Sequence, residues 1–502
     1  MDSRAIEEIV ADVLGKIEKT DRPVAPAAKP SPAPAPKSSP APKAAPTPKA
    51  PTPRPASGGA RSGVFAEADA AIEAARGGFE QLRAKGFAGR GKVIEIVKSM
   101  CAAKAEEWGR IELEETGIGR LDHKIEKLHV LGSVPGIEWI KPFGMSGDHG
   151  ISLEENSPFG VIAAITPVTH SVPTLAGNII NMVAAGNAVV ANAHPGGAKC
   201  AAMAVDEINR EVERQVGIRD LVTIIESPTL DSFNALCASP GIDLLCVTGG
   251  PGVVKAAMSS GKRAICAGPG NPPVVVDVCA NLGKAAADVV RGAAYDNNLL
   301  CIGEKQVFVL EEVFDEFASA LEKAGAHKLS AKQLGALTGE AFTDSKDAGG
   351  CSHPVLNRDL VGASPEILAS RAGARVPAGC QLLFAETEAD HVFVQEEQMM
   401  PMIPLVRVRD MDTAIRLAKE SEHGYRHSAM IHTMHVGHMT RMGQALESTI
   451  FVKNGPCVAG LGLGGEGYIS FSVATTTGEG ITTPQTFTRR RRCALVDALN
   501  VG

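Results

Sequence analysis

Residues 157–195 read S-P-F-G-V-I-A-A-I-T-P-V-T-H-S-V-P-T-L-A-G-N-I-I-N-M-V-A-A-G-N-A-V-V-A-N-A-H-P. From Phe159 to Pro167 almost every residue is apolar or small, as in a strand covered on both faces. From Ser171 to Gly186 apolar positions recur at helical spacing, and Gly186 stands where a left-handed residue closes a helix. Asn187 to Asn192 is a second short apolar run. Strand, helix and strand in this order make a βαβ unit, whose crossover renders the two strands parallel.

The alternation continues outward. Residues 199–212 read as a helix, 221–226 as a strand, 232–238 as a helix, 242–248 as a strand and 253–259 as a helix. A second unit opens with P-V-V-V-D-V at 273–278, then a helix at 282–294 and a strand at 305–310, and continues less regularly to about residue 455. The expected fold class is α/β with mostly parallel sheets. Upstream, Val64 to Met145 reads as helical and residues 147–160 as an extended segment or hairpin, while the tail from Tyr468 reads as extended. The run Arg489–Arg492 is read as a solvated strand edge or a contact between subunits in preference to an anion site.

A chain of 502 residues is too long for one core, so two or three domains are expected. Lys plus Arg number 50 against 57 for Asp plus Glu, a balance that argues against a broad nucleic-acid surface and for small-molecule partners. No apolar run reaches the roughly 18 residues of a membrane span, and no signal-peptide pattern opens the sequence. A soluble, intracellular protein with no membrane or nucleic-acid partner is expected. Eleven cysteines at irregular intervals, without a C-x-x-C pair, argue against a disulfide framework and against a structural zinc site.

Residues 1–20 place Ile6, Ile9, Val10, Val13, Leu14 and Ile17 on one helical face. Residues 21–60 are dominated by Pro and Ala and read as a disordered linker. A short helix set apart in this way is marginal in water, so its face is expected to bury against a partner. Folding back onto its own chain is the alternative.

Ligands of an open parallel sheet sit beyond the carboxyl ends of its strands. Three such ends stand out: Thr166-Pro167, His194-Pro195 and Thr248-Gly249. No G-x-G-x-x-G is present. Each turn alone is ordinary, and together they suggest a nucleotide-shaped ligand. Cys301 ends the stretch Y-D-N-N-L-L-C. A nucleophilic thiol needs partial exposure and dipoles that lower its pKa, which Asn297 and Asn298 are placed to supply. The turn also leaves the backbone N–H of Cys301 or Ile302 to face an oxyanion. These features alone do not separate a nucleophile from one more core thiol.

The stretches S-P-F-G-V-I-A-A-I-T-P, A-A-G-N-A-V-V, T-G-G-P-G-V-V-K-A-A-M-S-S-G-K, A-G-P-G-N-P-P, D-N-N-L-L-C-I-G-E-K and E-E-Q-M-M-P occur in that order. Over residues 64–502 the chain resembles the aldehyde dehydrogenase superfamily. More narrowly, it resembles the CoA-acylating propionaldehyde and acetaldehyde dehydrogenases of bacterial microcompartments. The resemblance implies a Rossmann-like domain at 61–267 for NAD and coenzyme A, with an oligomerisation hairpin at 141–158. It further implies a catalytic domain at 268–465, an oligomerisation segment at 466–502, and a homodimer or homotetramer. Residues 1–20 are similar to encapsulation peptides, which implies shell proteins as the partner of residues 3–20 and the microcompartment lumen as the location. By the same resemblance Cys301 is the nucleophile that takes a short-chain aldehyde. Thr166, Pro167 and Val168 form the loop beneath the cofactor, and His194 and Pro195 lie by the adenosine. Thr248 and Gly249 face the pyrophosphate, Gly268 joins the cofactor set, and Glu397 holds the nicotinamide ribose.

Three departures matter. Hydrolytic members carry a Glu general base where this chain reads Ala267-Gly268-Pro269-Gly270-Asn271-Pro272. Without a carboxylate there to activate water, an acyl-cysteine would wait for a thiol. The superfamily's oxyanion-hole Asn is replaced within Pro167-Val168-Thr169-His170, which leaves Thr169, His170 or the backbone to donate. Leu300 stands where this subgroup often has Pro. Two rival readings are a hydrolytic aldehyde dehydrogenase giving a carboxylic acid, and an inactive shell-associated binding protein.

Overall fold

The computed structural model describes residues 61–346 and 352–499. The expected amphipathic helix at 1–20 and the linker at 21–60 lie outside the described residues.

Two parallel sheets organise the chain. The first has six strands in the order Val64–Phe65, Val222–Ile225, Ala188–Ala193, Val161–Thr166, Leu244–Thr248 and Ala264–Ala267. The second has seven, in the order Ala326–Lys328, Leu382–Thr387, Met402–Val408, Gln306–Leu310, Pro273–Val276, Ser428–His432 and Ile450–Lys453. Every neighbouring pair in both sheets is parallel. Helices such as Ser171–Ala184, buried along its whole length, make the crossovers and shield the apolar strands from water. The chain passes from the last strand of the first sheet to the first strand of the second through residues 268–272 alone.

Upstream of residue 145 the structure departs from an all-helical reading. Val64–Phe65 extends the edge of the first sheet beside Val222–Ile225. Helices then run over Ala68–Ala103, Ala105–Thr116 and Leu121–His129, the first interrupted at Gly86, where φ is 62°. Phe143–Gly147 is already strand and pairs antiparallel with Gly150–Pro158. The tail is also less uniformly extended than its composition suggests. A short pair, Val473–Ala474 with Gly480–Ile481, and a helical turn at Pro484–Phe487 precede the long strand Thr488–Val496. That strand completes a three-stranded sheet against Gly150–Pro158, with Arg491 paired to Glu155 and Arg492 to Glu154 on an exposed edge. Asn187 pins the tail to the first sheet. Its carbonyl oxygen accepts from the N–H groups of Phe159 and Gly160, and its amide donates to Phe487 O at 2.9 Å. No described helix is long and apolar enough to cross a membrane.

Candidate active site

Cys301 lies between the helical turn Tyr295–Asn298 and the strand Gln306–Leu310. Asp296, Asn297 and Asn298 adopt φ of 50°, 54° and 65°, the left-handed region that Asp and Asn tolerate best among residues with a Cβ. Three in succession are held by side-chain bonds. The Asn297 amide donates to Gly362 O at 2.8 Å, and that of Asn298 to Ala293 O and Glu304 O, both at 2.9 Å. These amides are therefore committed to the loop. They do not stabilise the thiolate as the sequence suggested.

The thiol is also less acidic than expected. Burial pushes Cys301 up to about 12, with the Glu397 carboxylate adding to the rise. The Lys305 ammonium and the backbone N–H groups of Cys301 and Ile302 oppose it. Those two N–H groups thus face the sulfur, where an oxyanion formed on it would also find them. Glu397 is raised to about 7 by burial, against Lys305 and a hydrogen bond from the Gly270 N–H. Lys305 is fully buried and donates to Asn298 O at 2.9 Å and to Asn298 Oδ1. Gly270, in the crossing segment, closes the site from the other side. A Cβ there would lie 2.7 Å from Cys301 O and 2.8 Å from His427 Cγ, so no side chain fits. His427 is wholly buried and held neutral, pulled down to about 4 by burial and by Lys305. Its Nδ1 lies 2.8 Å from Ser428 Oγ, and its Nε2 has no partner among the described residues.

The cofactor-side residues fall on the carboxyl edge of the first sheet. Thr166 ends the strand Val161–Thr166, is buried, and has a hydroxyl without a partner among the described residues. Pro167, Val168 and Thr169 follow, half-buried, and His170 begins the next helix. His194 is exposed, and its Nδ1 accepts from the Gly196 N–H at 3.1 Å; Pro195 beside it is exposed too. The Thr248 hydroxyl lies 2.9 Å from Ser472 Oγ, and a Cβ on Gly249 would make ordinary contact with Val253 Cβ at 3.9 Å. Gly268 is buried, and a Cβ on it would come within 2.5 Å of Thr476 Oγ1. An orphaned hydroxyl and a bare glycine at adjacent strand ends suit a nucleotide laid across that edge.

A buried ionic cluster below this loop was not legible in the sequence. Lys124 pairs with Glu112 at 3.1 Å, and Glu112 also accepts from the Val172 N–H. Lys127 pairs with Asp296 Oδ2, and its Nζ lies 2.8 Å from His170 Nδ1. All five side chains are at most 5% exposed.

Residues 50–467 match the aldehyde dehydrogenase family. The chain belongs to that family. It is 40% identical over 450 residues to an acetylating acetaldehyde dehydrogenase, EutE, of Salmonella typhimurium, covering 89% of this chain and 95% of that protein. It superposes with a TM-score of 0.84 and 42% identity on a Rhodopseudomonas palustris propionaldehyde dehydrogenase with bound CoA and an acylated cysteine, covering 88% and 99% of the two chains. A propionaldehyde dehydrogenase from the Clostridium phytofermentans fucose utilisation bacterial microcompartment matches with a TM-score of 0.84 at 39% identity, covering 88% and 100%. The aldehyde dehydrogenase fold read from the motifs thus agrees with both sheets and with these relatives.

Proposed function

We propose that this chain oxidises a short aldehyde, propionaldehyde or acetaldehyde, with NAD and coenzyme A to acyl-CoA and NADH, in the lumen of a bacterial microcompartment. The observation that carries the reading is the pairing of Cys301 with the crossing segment whose Gly270 lies against it and which holds no carboxylate. Cys301 as thiolate attacks the aldehyde carbon, forming a C–S bond and an oxyanion. The N–H groups of Cys301 and Ile302, with His170 or Thr169 from the loop, hold that oxyanion. Thr166, Pro167, Val168, His194, Pro195, Thr248, Gly249, Gly268 and Glu397 would hold NAD, which supplies the hydride acceptor when bound. As the oxyanion collapses, the C–H bond breaks and a thioester remains on Cys301. Water finds no base at 267–272, which disfavours the hydrolytic reading. The CoA thiol attacks instead: its sulfur bonds to the acyl carbon, the bond to Cys301 Sγ breaks, and one proton is released overall. Both nucleotides contain adenosine diphosphate, so one groove serves them in turn.

NADH formation from propanal and NAD, with and without CoA, in wild type and Cys301→Ser, tests the reading. Turnover that requires both CoA and Cys301 is expected. Sustained turnover without CoA would mean hydrolysis, and no turnover under either condition would mean an inactive binding body. We place the lumenal address in residues 3–20, whose apolar face supports burial against a shell protein, and the hairpin and tail strand in a homodimer or homotetramer. Deleting residues 1–20 is expected to abolish co-purification with the shell and spare turnover; unchanged shell association would overturn the address.

A further inference from the structure

Lys127 itself takes no part in those steps, yet it joins the two loops that perform them. His170 stands at the start of the helix Ser171–Ala184, at the end of the cofactor loop, and Asp296 lies five residues before Cys301. Lys127, from the helix Leu121–His129, reaches both. Burial lowers Lys127 and its pairing with Asp296 opposes the fall. As an ammonium it has only donors, so at 2.8 Å His170 Nδ1 accepts, and the neutral ring then carries its proton on Nε2. Asp296 is fixed from its other side. Its Oδ1 accepts from the Arg120 N–H at 2.7 Å, and its own N–H donates to His123 Nδ1 at 2.8 Å. The His123 ring in turn stacks on Tyr295 at 4.3 Å.

The surroundings of the ring keep it uncharged. Burial comes first, then the cations of Lys127, Lys124 and Lys305, and together they hold His170 well below its usual value. The Thr169 carbonyl, as a hydrogen-bond acceptor, opposes them by more than Lys305 adds, and the Phe471 ring, 5.9 Å away, brings no charge. A histidine offers a donor only in one of its two neutral tautomers, whereas the Asn that the superfamily usually carries in this loop always offers one. Exchanging an amide for an imidazole therefore requires something to choose the tautomer. We propose that Lys127, anchored by Asp296, locks His170 as the Nε2–H tautomer and so makes the ring a fixed hydrogen-bond donor for the oxyanion formed on Cys301. Lys127 and Asp296 are positioning residues in this account, which rests on the reading of His170 as a donor to that oxyanion.

Single-turnover NADH formation from propanal, with the full-length enzyme in excess, reads the effect, alongside the melting temperature of each variant. His170→Phe, which keeps a ring without an N–H, is expected to slow hydride transfer by about a hundredfold. Lys127→Met in the wild-type background is expected to slow it by about tenfold or more, because the tautomer is released. In a His170→Asn background the same change is expected to cost less than about threefold, since the amide donates whether or not Lys127 is present. Should Lys127→Met not fold because Asp296 is stranded, Lys127→Met with Asp296→Asn is compared in the two backgrounds by the same criterion. Equal slowing in both backgrounds, or none in either, would overturn the lock. A wild-type rate in His170→Phe is a different result: it would remove His170 from the oxyanion and with it the reading beneath the proposal.

Discussion

Cys301 combines a half-buried position with a thiol pushed up to about 12, first by burial and then by Glu397. The sequence singled it out for two reasons, of which one holds. The backbone N–H groups of Cys301 and Ile302 do face the sulfur, as a turn between helix and strand leads one to expect. Asn297 and Asn298 looked like activating dipoles, but side-chain direction cannot be read from spacing, and both amides are spent on a left-handed backbone. The free enzyme should accordingly behave as a slow thiol. Alkylation of Cys301 by iodoacetamide, followed by peptide mass spectrometry, is expected to quicken by about tenfold per pH unit from 7 to 10 without a plateau. A plateau near pH 8.5 would show an ordinary thiol instead.

At the scale of elements, most of the run from Phe159 to Leu310 was legible because its strands are buried on both faces. The helices Ser171–Ala184 and Ala198–Val216 are also followed by Gly186 and Gly217 at positive φ, whereas the short edge strand Ala264–Ala267 was missed. The crossing segment shows what spacing can and cannot supply. Its lack of a carboxylate is visible in the sequence, whereas the approach of Gly270 to Cys301 O and the His427 ring comes from the strand order of the second sheet, where Pro273–Val276 lies between Gln306–Leu310 and Ser428–His432. Gly270→Ala is expected to remove most activity and to cost about 1–3 kcal/mol of stability in urea denaturation, since the methyl must displace backbone on one side and a buried ring on the other. Wild-type activity with unchanged stability would mean the segment relaxes freely. The helix Leu121–His129 misleads in the opposite way. D-H-K-I-E-K reads as a solvated face, yet Lys124 and Lys127 are wholly buried, because Glu112 and Asp296 are brought to them by elements 12 and 169 residues away.

Across the whole molecule, stability should carry the mark of a buried acid three residues after Cys301. Glu304 is wholly buried and raised to about 7, chiefly by burial, with Oε1 accepting from the Cys457 N–H and Oε2 without a partner among the described residues. The unfolded chain releases this proton near 4.5 and the folded chain near 7, so the folded state binds more protons between those values. Stability therefore falls as pH rises through that window and is level above it. Glu304→Gln, which cannot ionise, is expected to exceed wild type by about 3 kcal/mol at pH 8 and by less than about 0.3 kcal/mol at pH 4, below the window. A gap that does not depend on pH would contradict this. The central claim concerns the fate of the acyl group on Cys301, and rapid mixing of enzyme with propanal and NAD, without CoA, tests it most directly. The account predicts a burst of about one NADH per Cys301, then a stall with a propanoyl adduct on Cys301, released as propanoyl-CoA when CoA is added. Continued NADH formation with accumulating propanoic acid, or an adduct on another residue, would contradict it.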